Sequence, residues 1–186
     1  FEADDLLGTI AHELRMKKGV DVIIASGDMD MLQLVDKERV RVFTLKKGIN
    51  DTILYNEDAV VERFGFAPPL IRDLKGIMGD PSDNIKGVAG VGEGSALKLI
   101  QTYGDLDQIY KALKKKGVEA VAKEAGIQKR YAQLVADHEE DARFSKSLAT
   151  IRLDAPIAFI LPEDLWYQSV DVQRVLNMCD EFGFRT

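Results

Sequence analysis

The stretch Gly79–Gly94 reads GDPSDNIKGVAGVGEG and places Asp80 and Asp83 just before a run of glycines. Because glycine loses more backbone entropy on folding than other residues, this density indicates a tight bend, a close contact or a bound ion. The sequence ALKLI follows at Ala96–Ile100 and is typical of a helix. A glycine-rich turn before a helix is typical of a helix-hairpin-helix, whose exposed amides can hold a DNA phosphate. An ordinary tight turn is the alternative for the glycines alone.

Two more acidic clusters precede this stretch. EADD, at Glu2–Asp5, opens a predicted helix, and GDMD, with Asp28 and Asp30, follows the apolar run VDVIIAS. Each cluster alone has a structural alternative, either favourable charge at a helix N-terminus or an Asx turn. Together they supply carboxylates at the ends of helices and strands: Glu2, Asp4, Asp5, Asp28, Asp30, Asp80 and Asp83.

The spacing within the clusters suits shared ligands. Glu2 and Asp5 lie on one helical face, and Asp28 and Asp30 point to the same side of an extended backbone. Oxygen ligands in this number match Mg²⁺ or Mn²⁺ better than zinc. Two such ions about 4 Å apart can activate a water and stabilise the leaving oxygen of a phosphodiester. The sequence therefore predicts that three distant segments converge on a divalent metal centre.

Hydrophobic periodicity predicts an α/β fold followed by a helical subdomain. A helix over 3–17, strands over 20–25 and 40–45, and a short helix between them at 29–34 have the rhythm of an open parallel sheet. Residues 52–55 add a short strand, and further helices are predicted over 57–64, 69–78, 95–103, 106–115, 129–147 and 172–182. We expect residues 1–55 to belong to the α/β core, 56–148 to form the helical subdomain and 149–186 to form a tail packed on the core.

Composition excludes several classes of protein. The chain has one cysteine and two histidines, which excludes an internal disulfide framework and a multi-thiolate zinc site. It has no apolar run long enough for a membrane span and no basic signal-peptide region at its start, so a cytoplasmic location is expected. The net charge of -6 argues against a nucleic-acid partner unless the acidic clusters hold cations.

The motifs resemble those of the 5′-nuclease domain of bacterial DNA polymerase I, within the flap endonuclease family. The resemblance covers the whole chain and depends on EADD, GDMD, KGIMGDPSDNIKGVAGVGEGSA at Lys75–Ala96, and the tail FGFRT. It implies a PIN-like parallel sheet, partial in this chain, and an α-helical subdomain containing a helix-hairpin-helix, also described as a helix-three-turn-helix. It also implies Mg²⁺- or Mn²⁺-dependent hydrolysis of DNA at 5′ ends and 5′ flaps, in bacterial DNA replication and repair.

The resemblance also implies roles for individual residues. Glu2, Asp4 and Asp5 would help to hold one metal, and Asp28, Asp30 and Asp83, the predicted catalytic residues, would hold the other. Asp80 would support the site. The DNA-binding residues would be those of the hairpin, where many relatives hold a potassium ion: Lys86, Gly87, Gly90, Gly92, Ser95 and Lys98. The family usually has proline at position 86 and lysine at position 94, so a positive charge has moved along the hairpin.

The chain begins inside EADD without an initiator methionine, whereas relatives carry a preceding half of the sheet with further acidic residues and a helical arch. We therefore expect a fragment whose partners are DNA and that missing N-terminal half. The resemblance also names a C-terminal polymerase as a partner, and the sequence leaves open whether one follows Thr186. Without neighbouring strands, VDVIIAS is expected to lie at a sheet edge, expose apolar surface and associate with another chain.

Two other functions compete with the nuclease hypothesis. The fragment could be a DNA-binding module without turnover, because the N-terminal catalytic half is missing. Alternatively, DMD could be the DxD motif of a small-molecule phosphohydrolase with an aspartate nucleophile. The paired EADD and PSDN clusters and the hairpin disfavour the phosphohydrolase.

Overall fold

The structure is a computed structural model that describes residues 1–47, 51–163 and 166–184. It divides into two compact units, Phe1–Pro156 and Ile157–Thr186. Arg185 and Thr186, the last residues of the FGFRT tail, lie outside the described residues. The finer division into three parts, with limits at residues 55 and 148, stays a prediction.

A small mixed sheet forms the α/β part of the larger unit. Its strands β1 (Val22–Ala25), β2 (Val40–Lys47) and β3 (Asp51–Tyr55) lie in the order β1-β2-β3. β1 and β2 are parallel, as predicted, and β2 and β3 are antiparallel. Only three residues separate β2 from β3, too few for the crossover that a parallel pair requires, so the third strand turns back.

One face of the sheet and its β1 edge are open in the described part of the chain. Val42 is fully buried, and Ile24 and Tyr55 are nearly so, on the face that contacts the core. The opposite face exposes large apolar side chains, Ile23 at 54%, Phe43 at 40%, Leu45 at 55% and Leu54 at 40%. β1 pairs only with β2 there, as the sequence predicts for VDVIIAS.

The described residues of the larger unit form eight α-helices, which surround the sheet or form the helical subdomain. They are α1 (Ala3–Leu14), α2 (Glu57–Phe64), α3 (Ile71–Met78), α4 (Glu93–Tyr103), α5 (Leu106–Lys116), α6 (Val118–Ala125), α7 (Lys129–Asp137) and α8 (Glu139–Ala149). A 3-10 helix, Met29–Leu34, lies between β1 and β2, and a second, Pro68–Leu70, precedes α3. The single helix predicted over 129–147 is wrong, because His138 leaves helical geometry at φ -120 and ψ 41 and separates α7 from α8.

Helix α3 lies at the centre of the helical subdomain. Its Asp73, 1% exposed, accepts hydrogen bonds from Leu106 N at 2.9 Å and from Lys146 Nζ at 2.6 Å. These two bonds connect α3 to the start of α5 and to α8. Gly76 lets α8 approach closely, since a Cβ there would lie 2.9 Å from Ala142 O. α3 is therefore bonded to both α5 and α8, and the acidic loop leaves from its C-terminus at Met78.

The smaller unit contains α9 (Trp166–Ser169) and α10 (Val172–Glu181). Asp171 caps α10 by accepting a hydrogen bond from Arg174 N at 3.0 Å. Across the described residues of both units, every helix is too short or too polar to cross a lipid bilayer.

Candidate metal centre and nucleic-acid interface

Three predicted acidic residues meet at one point. Asp30, Asp80 and Asp83 each offer a carboxylate oxygen, and these oxygens all lie within 4.8 Å of one another. Asp30 and Asp80 are buried, whereas Asp83 is exposed. Side chains from two segments separated by about fifty residues thus form one oxygen cluster, open to solvent on the side of Asp83.

The end of β1 positions Asp30. The strand stops before Ser26 and Gly27, and Asp28 becomes the N-cap of the 3-10 helix, where its Oδ1 accepts a hydrogen bond from Asp30 N at 2.8 Å. Asp28 N in turn donates to Ser26 Oγ at 3.0 Å. The DMD spacing thus makes Asp28 the capping residue and directs Asp30 into the buried first turn. Asp28 therefore lies beside the oxygen cluster and is not one of its three members.

The loop after α3 positions Asp80 and Asp83. Asp80 N donates to Ile85 O and Ile85 N donates to Asp80 O, both at 2.8 Å, which closes a tight loop around PSDN. Ser82 donates to Asp80 Oδ1 through its backbone N–H at 2.9 Å and also through its hydroxyl. The turn completes with Asn84 at positive φ. Asp80 is therefore fixed by its own loop, while Asp83 projects from the exposed part.

Lys75, on α3, pairs with two members of the cluster. Its Nζ lies 2.8 Å from Asp30 Oδ1 and also contacts Asp80 Oδ2. Burial raises the pKa of Asp30 above its usual value, although Lys75 opposes the shift. Partial burial would likewise raise the pKa of Asp80, but the bonds from Lys75 and Ser82 outweigh it and lower that pKa. Burial acts to lower the pKa of Lys75 itself, but the two carboxylates raise it on balance.

The EADD cluster lies at the start of α1, and its acids line a cavity together with Asp30 and Asp83. Glu2 N donates to Asp5 Oδ2 at 3.0 Å at the start of α1, and Arg152 N donates to Asp5 Oδ1 at 2.9 Å. The backbone bond from Glu2, joined by the one from Arg152, lowers the pKa of Asp5. Partial burial, followed by the negative charges of Asp28 and Asp30, raises the pKa of Asp4.

A cavity of about 450 Å³ collects acids from all three clusters, with Glu2, Asp4, Asp5, Asp30 and Asp83 in its wall. The last turn of α8 and the following residues as far as Arg152 form its other side. The Arg152 guanidinium lies 4.4 Å from the Phe1 ring centre and pairs with Asp154. The predicted convergence of distant acidic segments is therefore present in the fold.

The chemistry of these side chains fits a hard divalent cation. All the candidate ligand atoms are carboxylate oxygens, which suit magnesium or manganese. Asp30 Oδ1 is buried, and its charge is balanced by the Lys75 ammonium at 2.8 Å. A buried carboxylate needs such a positive partner, and a divalent cation would meet the same need.

The glycine run begins with a close backbone crossing. Gly87 has φ +62, and a Cβ there would lie 2.2 Å from Gly79 N, so the two glycines allow the ends of the acidic loop to touch. Gly87 is buried and its N–H donates to Ser145 Oγ at 3.0 Å. That amide is engaged by Ser145 in the structure, and the DNA contact of Gly87 stays a prediction.

The other predicted DNA-binding residues lie near the start of α4. Gly92 is the N-cap of this helix, and no side chain caps it. A groove of about 480 Å³ is lined on this side by Gly92, Ser95 and Lys98, and on the other by the turn between α6 and α7. Lys98 Nζ donates to Gly126 O at 3.1 Å across the groove. Lys86 and Gly90 are exposed on the loop that leads to it.

Models of the family match the two halves of the chain. Residues 1–65 match the "5'-3' exonuclease, N-terminal resolvase-like domain", and residues 66–173 match the "5'-3' exonuclease, C-terminal SAM fold". The chain belongs to the 5′-3′ exonuclease family. The α/β core and the helical subdomain predicted from the sequence are the two parts that this family combines.

Individual relatives agree with this assignment. DNA polymerase I of Bacillus caldotenax is 38% identical over 187 residues, which span 100% of this chain and 20% of that protein. The 5′-exonuclease of bacteriophage T5, solved with divalent zinc ions bound, is 25% identical with a TM-score of 0.62, over 80% of this chain and 49% of the phage chain. A bacteriophage T5 flap endonuclease, solved with DNA and metal ions, is 24% identical with a TM-score of 0.62 over the same shares and has the same fold.

Sequence reasoning did not assign a role to Lys75 or Arg152. Lys75 is the first residue of the KGIMGD motif, but a single lysine on a helix normally lies in solvent. Its contact with Asp30 arises only when α3 packs against the 3-10 helix that follows β1. Arg152 has no motif of its own and reaches the cavity through the chain after α8.

Proposed function

We propose that this chain is part of a 5′-3′ exonuclease and 5′-flap endonuclease domain that hydrolyses DNA phosphodiesters in replication and repair. The observation that carries the proposal is the single cavity that collects acids from three distant segments, in a chain of the 5′-3′ exonuclease family. The glycine turn leads from this cavity to the groove at the start of α4. The fold therefore offers an acidic cavity for cleavage and, after the glycine turn, a groove for the duplex.

The ions would be Mg²⁺ or Mn²⁺. Asp30, Asp80 and Asp83 would hold one, and Glu2, Asp4 and Asp5 would help to hold the other, with Asp28 orienting Asp30. Bound ions would supply an activated water and stabilise the leaving oxygen. In the metal-free protein several carboxylates lie close together and repel one another. Lys75 reduces this repulsion by pairing with two of them. A K⁺ ion on the carbonyls of the hairpin is a further part of the proposal.

The groove at α4 would hold the phosphate backbone of the duplex. The N-terminus of α4 presents backbone amides with no side-chain cap, and Ser95 and Lys98 add a hydroxyl and an exposed ammonium. Such contacts fix position without reading bases, so binding would be independent of sequence.

Replacing Lys98 tests this contact. We expect Lys98→Gln to weaken duplex binding equally for unrelated sequences and to reduce the slope of log affinity against log salt by about 1. Fluorescence anisotropy of flap duplexes at several salt concentrations, with Ca²⁺ to support binding, measures both. Lys115→Gln makes the same charge change at an exposed position on α5 and should leave the slope nearly unchanged. Equal slopes for the two variants would contradict the groove as the duplex contact.

The open sheet face is the proposed docking surface for the rest of the domain. This chain matches 49% of the T5 5′-exonuclease chain, so about half of that protein has no counterpart in these residues. Ile23, Phe43, Leu45 and Leu54 form an apolar face that further core elements would cover. A polymerase region is also expected among the partners, because the chain spans about a fifth of the DNA polymerase I relative.

Cleavage of a 5′-labelled flap duplex tests the function. The chain is incubated with Mn²⁺, alone and together with the half of the domain that it does not match. We expect cleavage near the flap junction with both halves present, a loss of about a thousandfold or more when EDTA removes the metal, and recovery on adding Mn²⁺. A duplex without a flap and without a free 5′ end is the control substrate.

The alternatives predict different results in this assay. Duplex binding without cleavage under any condition would favour a DNA-binding module. Turnover of a phosphomonoester with no effect on the flap would favour a phosphohydrolase. The structure disfavours that chemistry, because Asp28, the first aspartate of DMD, has its Oδ1 engaged as the N-cap of the 3-10 helix.

A further inference from the structure

Lys75 occupies the position between two proposed metal ligands. Its ammonium lies 2.8 Å from Asp30 Oδ1 and also contacts Asp80, and both carboxylates belong to the three-acid oxygen cluster. The side chain of Lys75 is only 18% exposed, so this contact is made inside the fold and not on the surface. A divalent cation bound by the same oxygens would have to share that space with a positive charge.

We propose that Lys75 is an internal counterion that pairs with Asp30 and Asp80 in the metal-free protein and leaves them when a divalent cation binds. This inference rests on the proposed metal centre. Two cations held a few ångströms apart in a partly buried site repel strongly, because solvent screens them less than at the surface. Lys75 can leave, because a lysine stem has four flexible carbons and a single charged end.

The same pairing explains how the acids coexist before metal binds. Asp30 and Asp80 are buried near one another and near the exposed Asp83. The Lys75 ammonium neutralises part of this charge and keeps the carboxylates in the arrangement that the cation requires. Lys75 is thus a positioning residue whose presence stabilises the metal-free site at the expense of metal affinity.

Metal binding by Lys75→Met tests this exchange without any DNA. Methionine keeps the length of the stem and removes the charge. We expect Mn²⁺ to bind at least tenfold more tightly to Lys75→Met than to the unsubstituted chain in an electron paramagnetic resonance titration. In EDTA, Lys75→Met should unfold at a lower temperature than the unsubstituted chain. Adding Mn²⁺ should raise the unfolding temperature of Lys75→Met by more than it raises that of the unsubstituted chain.

Two variants serve as controls. Lys115→Met makes the same change at an exposed position on α5 and should leave Mn²⁺ affinity unchanged. Lys75→Arg retains the charge and should not tighten Mn²⁺ binding. If Lys75→Met binds Mn²⁺ no more tightly than the unsubstituted chain does, the proposal is overturned.

A measurement on the unsubstituted chain covers the case in which Lys75→Met does not fold. Acylation of lysine amines, read peptide by peptide by mass spectrometry, should be slow at Lys75 in EDTA and several times faster with saturating Mn²⁺. Unchanged reactivity with Mn²⁺ demonstrably bound would overturn the counterion role alone. If the unsubstituted chain binds no Mn²⁺ in either measurement, the metal centre of the proposed function fails together with the counterion role of Lys75.

Discussion

Gly87→Ala is expected to destabilise the larger unit by about 4 kcal/mol or more and to lower its melting temperature by about 10 °C. Gly87 has φ +62, where a side chain costs about 1–2 kcal/mol on its own. The new Cβ would also lie 2.2 Å from Gly79 N and 2.6 Å from Met78 C, which are backbone atoms that no rotamer change can move. The backbone must therefore separate, and the buried bond from Gly87 N to Ser145 Oγ is put at risk.

Gly94→Ala is the matched control for this variant. Gly94 lies in the first turn of α4, its φ is not positive, and a Cβ there would meet no atom within 4 Å. Alanine should therefore stabilise the protein by up to about 1 kcal/mol, through its higher helix propensity. Urea and thermal unfolding followed by circular dichroism compare the two variants. Similar stability for both would contradict the close crossing of Gly79 and Gly87.

The glycine run shows what a sequence pattern does and does not determine. Its density indicates a close contact or a bound ligand, and the sequence does not distinguish them at each position. In the structure Gly87 serves backbone packing, whereas Gly92 caps α4 at the exposed groove. The difference depends on which segments cross, and that is fixed by the tertiary arrangement of α3 and α8.

Some elements of secondary structure can be predicted from the local sequence, and others cannot. The parallel pair β1 and β2 is predicted from apolar runs separated by a short helix, and the structure confirms it. The break at His138 is not visible in the pattern, because apolar residues such as Ala132, Val135 and Ala142 keep a helical spacing across it. Helix α6 was not predicted, although Val118, Val121, Ala122 and Ala125 follow the i, i+3, i+4, i+7 spacing of a helix.

The acidic clusters were found from the sequence because carboxylates in such number have few structural uses. Their convergence follows from chain topology, since acids at the carboxyl end of β1 meet the loop after α3. The exact ligand set does not follow. Asp28 and Asp30 look equivalent in GDMD, yet one caps a helix turn and the other enters the oxygen cluster. Only the direction of the backbone after β1 separates these two roles.

Asp83→Asn is expected to reduce Mn²⁺-dependent flap cleavage by at least about a hundredfold, with matching weakening of Mn²⁺ binding. Asp83 is the exposed member of the oxygen cluster, so its carboxylate is available to a cation and its replacement disturbs no packing. An amide keeps the shape of the side chain and removes the charge. Cleavage is measured with both halves of the domain present, and Mn²⁺ affinity with this chain alone.

The stability of Asp83→Asn separates a functional acid from a structural one. In the metal-free chain Asp83 adds negative charge beside Asp30 and Asp80, so its neutralisation relieves repulsion. The variant should therefore unfold in EDTA at the same temperature as the unsubstituted chain or a higher one, while it loses activity. Glu62→Gln, an equivalent loss of charge at an exposed position of α2 beyond its first turn, should alter neither property. A variant at position 83 that loses stability but retains Mn²⁺ affinity would assign Asp83 to the loop and remove it from the metal centre.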